Sequence, residues 1–163
     1  MRNSRSGLSL FCVAVALGAS GCGAAVEPNV LGTWRTSGMS ATVAIGGQNY
    51  MGVITGTLVF SGLPSAGTFV DTSTLALPTG GCSINFTGNG TFTDTALTYS
   101  ARYTGGSFSV TGCTDASQNV AMTALTPADV NAVNAGLVGA TASLTATTLP
   151  FRWFNNALVY TRA

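Results

Sequence analysis

The chain has 163 residues, enough for one domain with a buried core. Only 7% of the residues are charged, the formal net charge is +1 and histidine is absent, so the basic patches that nucleic-acid binding needs are not expected. Hydrophobic residues make up 46% of the chain, which is enough to bury a core and excludes a disordered protein.

The first 21 residues have the pattern of a secretory signal peptide. Arg2 and Arg5 lie beside the amino terminus, and the apolar run GLSLFCVAVALG follows them. This run of about 12 residues has the length of a signal-peptide core and is too short to span a bilayer. Small residues follow it, as at a cleavage site. We therefore expect residues 1–21 to direct export and to be removed.

Residues 19–22 (ASGC) resemble the lipobox of bacterial lipoproteins, with Ala19 where that family usually has Leu. In that family the cysteine thiol receives diacylglycerol, the chain is cut before the cysteine, and the new amino terminus is acylated. The resemblance implies a lipidated Cys22 that anchors the protein in the bacterial cell envelope. Because Gly23 follows the cysteine, it also implies the outer membrane, facing the periplasm or the cell surface. The alternative is ordinary cleavage near Ala19 or Ala24, with Cys22 lost or left as a free thiol.

Residues 22–29 are predicted to be the lipidated cysteine and a short tether, followed by one domain at residues 30–163. About seven residues beyond Cys22 span at most about 23–25 Å when fully extended. We therefore expect the folded domain to lie close to the membrane surface.

From Val30 onward, short runs of β-branched and aromatic residues alternate with Gly, Pro, Asn and Asp. These runs predict strands at residues 33–36, 40–45, 50–60, 68–71, 74–77, 82–87, 91–93, 97–103, 107–113, 118–123, 141–147, 151–154 and 157–162. A turn is predicted at residues 104–106, and residues 88–90 fit either a hairpin or one strand bent by glycine. The pattern favours an all-β, antiparallel up-and-down barrel, with a β-sandwich as the alternative.

One short helix is predicted near residues 126–136. Thr126 suits the N-cap, Pro127 the first helical position and Asp129 the first turn. The apolar residues that follow share one face of such a helix, so we expect it to pack against the barrel.

The four cysteines divide between processing and the fold. Cys12 leaves with the signal peptide and Cys22 is assigned to the lipid. Cys82 and Cys113 then form an even pair in an oxidising compartment, which predicts a disulfide between them. The alternatives are two free thiols or a metal site, although two thiols without histidine make a poor zinc site.

Gly32 and Trp34 form a G-x-W that resembles the first-strand signature of lipocalins and the wider calycin group. In that family the glycine lets the chain bend at the closed end of the barrel, the tryptophan fills the barrel floor, and a late arginine crosses the tryptophan face. The resemblance assigns the arginine to Arg162 first and to Arg152 second. A late helix also fits the lipocalin order, although two strands follow it here where one is usual.

The sequence gives little support for catalysis. Its five acidic residues are scattered: Glu27 lies in the tether, and the four aspartates each suit a turn or a cap, at Asp71, Asp94, Asp115 and Asp129. Neither histidine nor lysine is present to activate a nucleophile. We expect no enzymatic activity, no metal and no cofactor.

Binding is the positive hypothesis, because a small barrel can hold one apolar molecule when its side chains leave room. The candidate lining residues are Phe60, Phe86, Phe92, Tyr99, Tyr103 and Trp153. We therefore expect a non-catalytic envelope lipoprotein, held to the membrane by Cys22, that binds a small hydrophobic ligand. The alternative is a structural or protein-interaction lipoprotein, with a filled barrel or sandwich, that docks an envelope protein. An enclosed pocket favours the first and a filled interior with exposed apolar surface favours the second.

Overall fold

A computed structural model of the protein describes residues 29–45, 48–95, 98–128, 144–153 and 156–163. The strands are β1 Gly32–Ile45, β2 Gln48–Leu63, β3 Ala66–Ala76, β4 Ser83–Thr95, β5 Thr98–Thr111, β6 Val120–Leu125, β7 Thr148–Trp153 and β8 Asn156–Arg162. A 3-10 turn lies at Ala116–Gln118. The signal peptide, Cys22 and nearly all of the tether fall outside the described residues. So does the predicted helix beyond Pro127 and Ala128, which are helical.

The eight strands form one curled, half-barrel sheet in the order β6-β5-β4-β3-β2-β1-β8-β7, and the pairs are antiparallel. From β1 to β6 each strand pairs with the next, and β8 returns to β1 with Arg162 opposite Trp34. This is the cyclic order of an up-and-down barrel, interrupted between β6 and β7. The predicted all-β, lipocalin-like class is therefore confirmed. The described strands belong to one sheet, which does not fit the β-sandwich alternative.

Several predicted breaks between strands are wrong. Residues 37–39, 72–73 and 104–106 all lie inside continuous strands. Of the two alternatives predicted for residues 88–90, the structure has the single strand, with a register shift between Asn89 and Gly90. At the predicted strand 141–147, residues 144–147 are not in a strand and residues 141–143 lie outside the described part.

Two glycines show why residues 88–90 do not form a turn. A Cβ at Gly88 would lie 2.5 Å from the Tyr103 ring and 2.8 Å from the Phe86 ring. A Cβ at Gly90 would collide with the Phe69 ring. These glycines leave space for aromatic rings of the same and neighbouring strands, and glycine inside a strand is typical of such close approach.

The inner face of the sheet carries the core. In β3 the buried residues Phe69, Asp71, Ser73 and Leu75 alternate with outward-facing ones, as the two-residue period of a strand requires. The same alternation runs through β2 and β4. β6 departs from it, because Val120–Ala124 are all exposed. One part of the sheet therefore lies outside the core.

The gap between β5 and β7 differs between the two ends of the sheet. β6 pairs only with the second half of β5, between Gly106 and Val110. Near the start of β5, the Tyr99 hydroxyl instead donates a hydrogen bond to the carbonyl of Pro150 in β7. We call the gap between β5 and β7 the seam. This contact lies at its floor end, which is the end of the sheet that also holds Arg162. At the floor end β7 approaches β5 directly, whereas β6 occupies the far half of the seam.

Candidate functional site: the barrel floor and interior

The barrel floor brings together the three residues of the sequence motif. Gly32 has φ +108°, a conformation that side-chain-bearing residues rarely adopt, so glycine is needed here. Trp34, two residues later on β1, is fully buried. The Arg162 guanidinium carbon lies 4.4 Å from the centroid of the Trp34 ring, within the range of a cation–π contact. Arg152, the second candidate, is exposed on β7.

Arg162 also fastens the start of the domain. Its Nη1 donates to the Leu31 carbonyl at 3.0 Å, and its Nη2 donates to the Asn29 carbonyl at 2.8 Å. Its Nε donates to the Ala146 carbonyl at 2.9 Å. One guanidinium therefore joins the end of β8, the segment before β7 and the residues next to the predicted tether. A rigid fork of donors suits this task better than the single ammonium of lysine.

The predicted disulfide is confirmed: Cys82 and Cys113 are bonded at an S–S distance of 2.04 Å. Cys82 immediately precedes β4, and Cys113 lies two residues after β5. The bond therefore joins the start of β4 to the adjacent end of β5, at the end of the sheet opposite the floor.

All six predicted lining residues are buried, and their side chains pack inside the sheet: Phe60, Phe86, Phe92, Tyr99, Tyr103 and Trp153. Five of them are in ring contact with another member of this set. The centroids of Phe60 and Phe92 are 5.3 Å apart, and Phe86 lies 5.7 Å from Tyr103 and 6.4 Å from Trp153. These are ordinary distances for packed aromatic pairs. Five of the six predicted lining residues therefore pack against one another inside the sheet.

A buried carboxyl group lies within this aromatic interior. Asp71, on β3, has no exposed surface. Its Oδ1 accepts a hydrogen bond from Ser73 Oγ at 2.5 Å, and its Oδ2 accepts one from the Tyr103 hydroxyl at 2.6 Å. The sequence prediction that Asp71 serves a turn is therefore wrong, because this residue lies in the middle of a strand and points inward.

Burial raises the pKa of Asp71 from 3.8 to about 6, and the hydrogen bonds from Ser73 and Tyr103 oppose this rise. The carboxyl group faces hydroxyls rather than a cation, so removal from water dominates. Burial, followed by the Asp71 charge, also raises the pKa values of Tyr103 and Tyr160. Both phenols are neutral at physiological pH.

Tyr160 and Gly56 complete the surroundings of this group. A Cβ at Gly56 would lie 2.7 Å from Ser73 Oγ and 3.1 Å from the Tyr160 hydroxyl. The Tyr160 hydroxyl is buried and forms no hydrogen bond with the described residues. The Ser73 and Tyr160 hydroxyls therefore leave no room for a side chain at Gly56. We call Asp71, Ser73, Tyr103 and Tyr160 the interior polar cluster.

The other two described acids accept hydrogen bonds from backbone N–H groups. Asp94, at the end of β4, accepts a hydrogen bond from the Val30 backbone N–H at 3.2 Å. Asp115 caps the 3-10 turn by accepting from the Ser117 N–H at 2.9 Å. Glu27 and Asp129 lie outside the described residues. Within the described ranges, no three acidic or cysteine side chains come together as a metal site would require.

Sequence reasoning missed the interior polar cluster, although a signal was present. Phe69, Asp71, Ser73 and Leu75 alternate with polar or β-branched residues, which places all four on one face of a single strand. Splitting this stretch into two short strands hid the pattern. The aromatic Tyr160 was missed as an interior residue for a different reason, since only the return of β8 to β1 brings it inside.

Comparison of the chain with protein-family models, curated proteins and solved structures gives no match. Among the described residues, no helical segment combines the length and the apolar character needed to cross a membrane.

Proposed function

We propose that this protein is a lipid-anchored bacterial envelope lipoprotein whose barrel domain serves protein interaction and catalyses no reaction. The observation that carries the interaction role is the contact among the aromatic rings inside the sheet. Phe60, Phe69 and Phe151 lie 5.4–6.5 Å apart, although they come from three different strands. An interior packed in this way supports the fold and leaves the outer surface and the sheet edges for binding.

The interior polar cluster supports the same proposal. Asp71 is fully buried, and its two oxygens bind Ser73 and Tyr103. A catalytic carboxyl group must reach a substrate, whereas this one is buried and both of its oxygens already accept a hydrogen bond. Its contacts join β3 to β5 and stabilise the curl of the sheet.

The anchor rests on residues 19–22 and is tested by acylation. Cells that express the protein are labelled with radioactive palmitate, and the protein is recovered and separated by electrophoresis. We expect label on the wild type and on Cys12→Ser, the matched control in the same leader, and no label on Cys22→Ser. Label that persists in Cys22→Ser overturns the anchor assignment.

The interaction role is tested against the carrier role by extraction. The full-length protein is purified in detergent, its bound lipids and small molecules are extracted, and the extract is compared by mass spectrometry with that of an unrelated envelope lipoprotein. We expect no compound in stoichiometric amount beyond the covalently held acyl chains. A stoichiometric apolar compound that disappears in Phe60→Trp would place a ligand among the rings and overturn the filled interior.

A further inference from the structure

β6 has the properties of an unoccupied sheet edge. Val120–Leu125 pairs with β5 along one side, and no described strand pairs with its other side. The unpaired side of a strand presents backbone N–H and C=O groups that can receive another strand. Both faces of β6 are also accessible, since only Leu125 is partly buried.

The sequence of β6 carries none of the side chains that protect an edge. Its six residues, VAMTAL, include no charge and no proline. Met122 is 77% exposed and Val120 is 39% exposed. Natural edge strands usually avoid unwanted pairing with lysine, proline or inward charges. An uncharged, apolar edge is instead suited to receive a partner strand.

The opposite edge of the sheet is protected. β7 contains Pro150, which has no N–H to offer, and the carbonyl of Pro150 already accepts the Tyr99 hydroxyl. Arg152 adds an exposed charge on the same strand. Among the described strands, each molecule therefore presents one open edge and one closed edge.

We propose that β6 pairs with β6 of a second copy of this chain, antiparallel about a two-fold axis. This rests on the proposed interaction role and names its partner. A pairing of like with like uses the open edge of each molecule and leaves none exposed, whereas β6 against β7 of another copy meets Pro150 and would extend without closing. The pairing also covers the apolar side chains of Val120 and Met122. Lipid anchors would hold the copies in one membrane plane and raise their effective concentration.

The test crosslinks the edge in the full-length protein in its own envelope. Met122→Cys places a thiol near the centre of β6, where directly opposed Cβ atoms of a pair lie about 4.5–5.5 Å apart. Met51→Cys is the matched control, because Met51 is 71% exposed but lies on β2, which is paired with a strand on each side. Envelopes are treated with a short bismaleimide and resolved by reducing electrophoresis. We expect a band at twice the monomer mass for Met122→Cys and none for Met51→Cys.

Two outcomes would overturn the proposal. Failure of Met122→Cys to crosslink would show that the edge stays unpaired, and a product of another mass would show that a different protein occupies it. Equal dimer bands from both variants would also overturn it, because the contact would then not be specific to β6.

A second pair of variants measures the association itself. Met122→Lys sets like charges against each other in the pairing, so its dimer dissociation constant should rise roughly ten-fold or more. Met51→Lys should leave the dimer intact. Masses are measured in detergent by light scattering, with circular dichroism to verify that both variants are folded. A folded Met122→Lys that remains as dimeric as the wild type contradicts the proposal.

Palmitate labelling of the same samples separates this proposal from the anchor. Labelled protein that is monomeric overturns the dimer and leaves the anchor standing. Dimeric protein without label supports the β6 pairing and overturns the anchor.

Discussion

A carboxyl group inside an aromatic barrel makes the stability of the domain depend on pH. The pKa of Asp71 is about 6 in the folded protein, against an ordinary value of 3.8. Between these values the folded state binds a proton that the unfolded state has released. The stabilisation is therefore complete below about pH 3.8 and is lost as the pH rises through 6.

Asp71→Asn should remove this dependence while preserving the size of the side chain and one acceptor oxygen. We expect the free energy of unfolding of the wild type to fall by on the order of 3 kcal/mol between pH 4 and pH 7, relative to the variant. Urea unfolding followed by circular dichroism at a series of pH values measures both proteins. Parallel curves for wild type and variant would show that Asp71 is not the group responsible.

Position 56 requires glycine because neighbouring side chains leave no room for a Cβ atom. Because a Cβ there would meet Ser73 Oγ at 2.7 Å and the Tyr160 hydroxyl at 3.1 Å, Gly56→Ala should lower the free energy of unfolding by about 1–3 kcal/mol. The control is Gly105→Ala, where a Cβ would meet only the Leu125 carbonyl at 3.8 Å. That variant should stay within about 0.5 kcal/mol of the wild type in urea unfolding. Equal losses in both variants would indicate a general effect of replacing glycine in strands.

At the scale of elements, Arg162 connects the end of β8 to the start of β1. Arg162→Ala removes a cation–π contact and three hydrogen bonds to carbonyl groups. We expect a loss of about 2–4 kcal/mol in the free energy of unfolding, with faster amide exchange in residues 29–35. Arg162→Lys should recover only part of this loss, because one ammonium cannot reach all three carbonyls.

Arg152→Ala is the matched control, since this arginine is exposed on the adjacent strand. It should change stability by no more than about 0.5 kcal/mol. A similar loss in Arg152→Ala, measured by the same urea unfolding, would assign the effect to net charge rather than to the floor contact.

The strands show which features of an element can be predicted from sequence. Runs of β-branched and aromatic residues identified β2 and β8 nearly to their ends, because that signal is local. The pairing of Trp34 with Arg162 came instead from the resemblance to lipocalins, because no local pattern joins two residues so far apart in the chain. The turn predicted inside β5 is wrong, and inside β4 the sequence does not decide between a hairpin and a bent strand. Glycine inside a strand and glycine in a turn look alike until the ring beside it is known, and the rings beside Gly88 and Gly90 come from residues 69–103.

At the scale of the whole molecule, pairing between distant strands decides what lies inside. The disulfide followed from counting cysteines, and the fold class followed from the spacing of strands and turns. The interior polar cluster did not, because Tyr103 reaches Asp71 only once β3, β4 and β5 are paired, and Tyr160 comes inside only when β8 returns to β1. The edge position of β6 among the described strands was also beyond prediction, since it depends on β7 pairing with β8 instead of β6.

At the seam between β5 and β7, removal of one hydroxyl group tests whether a hydrogen bond holds the two ends of the strand order together. The Tyr99 hydroxyl donates to the Pro150 carbonyl, and burial raises the pKa of Tyr99, so the hydroxyl remains a donor at neutral pH. Tyr99→Phe should cost about 0.5–1.5 kcal/mol and loosen β7 first. Hydrogen exchange read by mass spectrometry should then be faster in residues 148–153, while β2 and β3 exchange as in the wild type.

Tyr160→Phe is the control for this change, because the Tyr160 hydroxyl is buried without a hydrogen bond to the described residues. Removing a buried polar atom of this kind should be neutral or slightly stabilising, since its desolvation is not compensated. If Tyr99→Phe left the exchange of residues 148–153 unchanged, packing of the Phe151 and Trp153 rings against β2, β3 and β4 would be sufficient to hold β7. The hydroxyl would then have no part in closing the barrel. Faster exchange in Tyr99→Phe alone would instead show that the floor end of the seam depends on a directed bond.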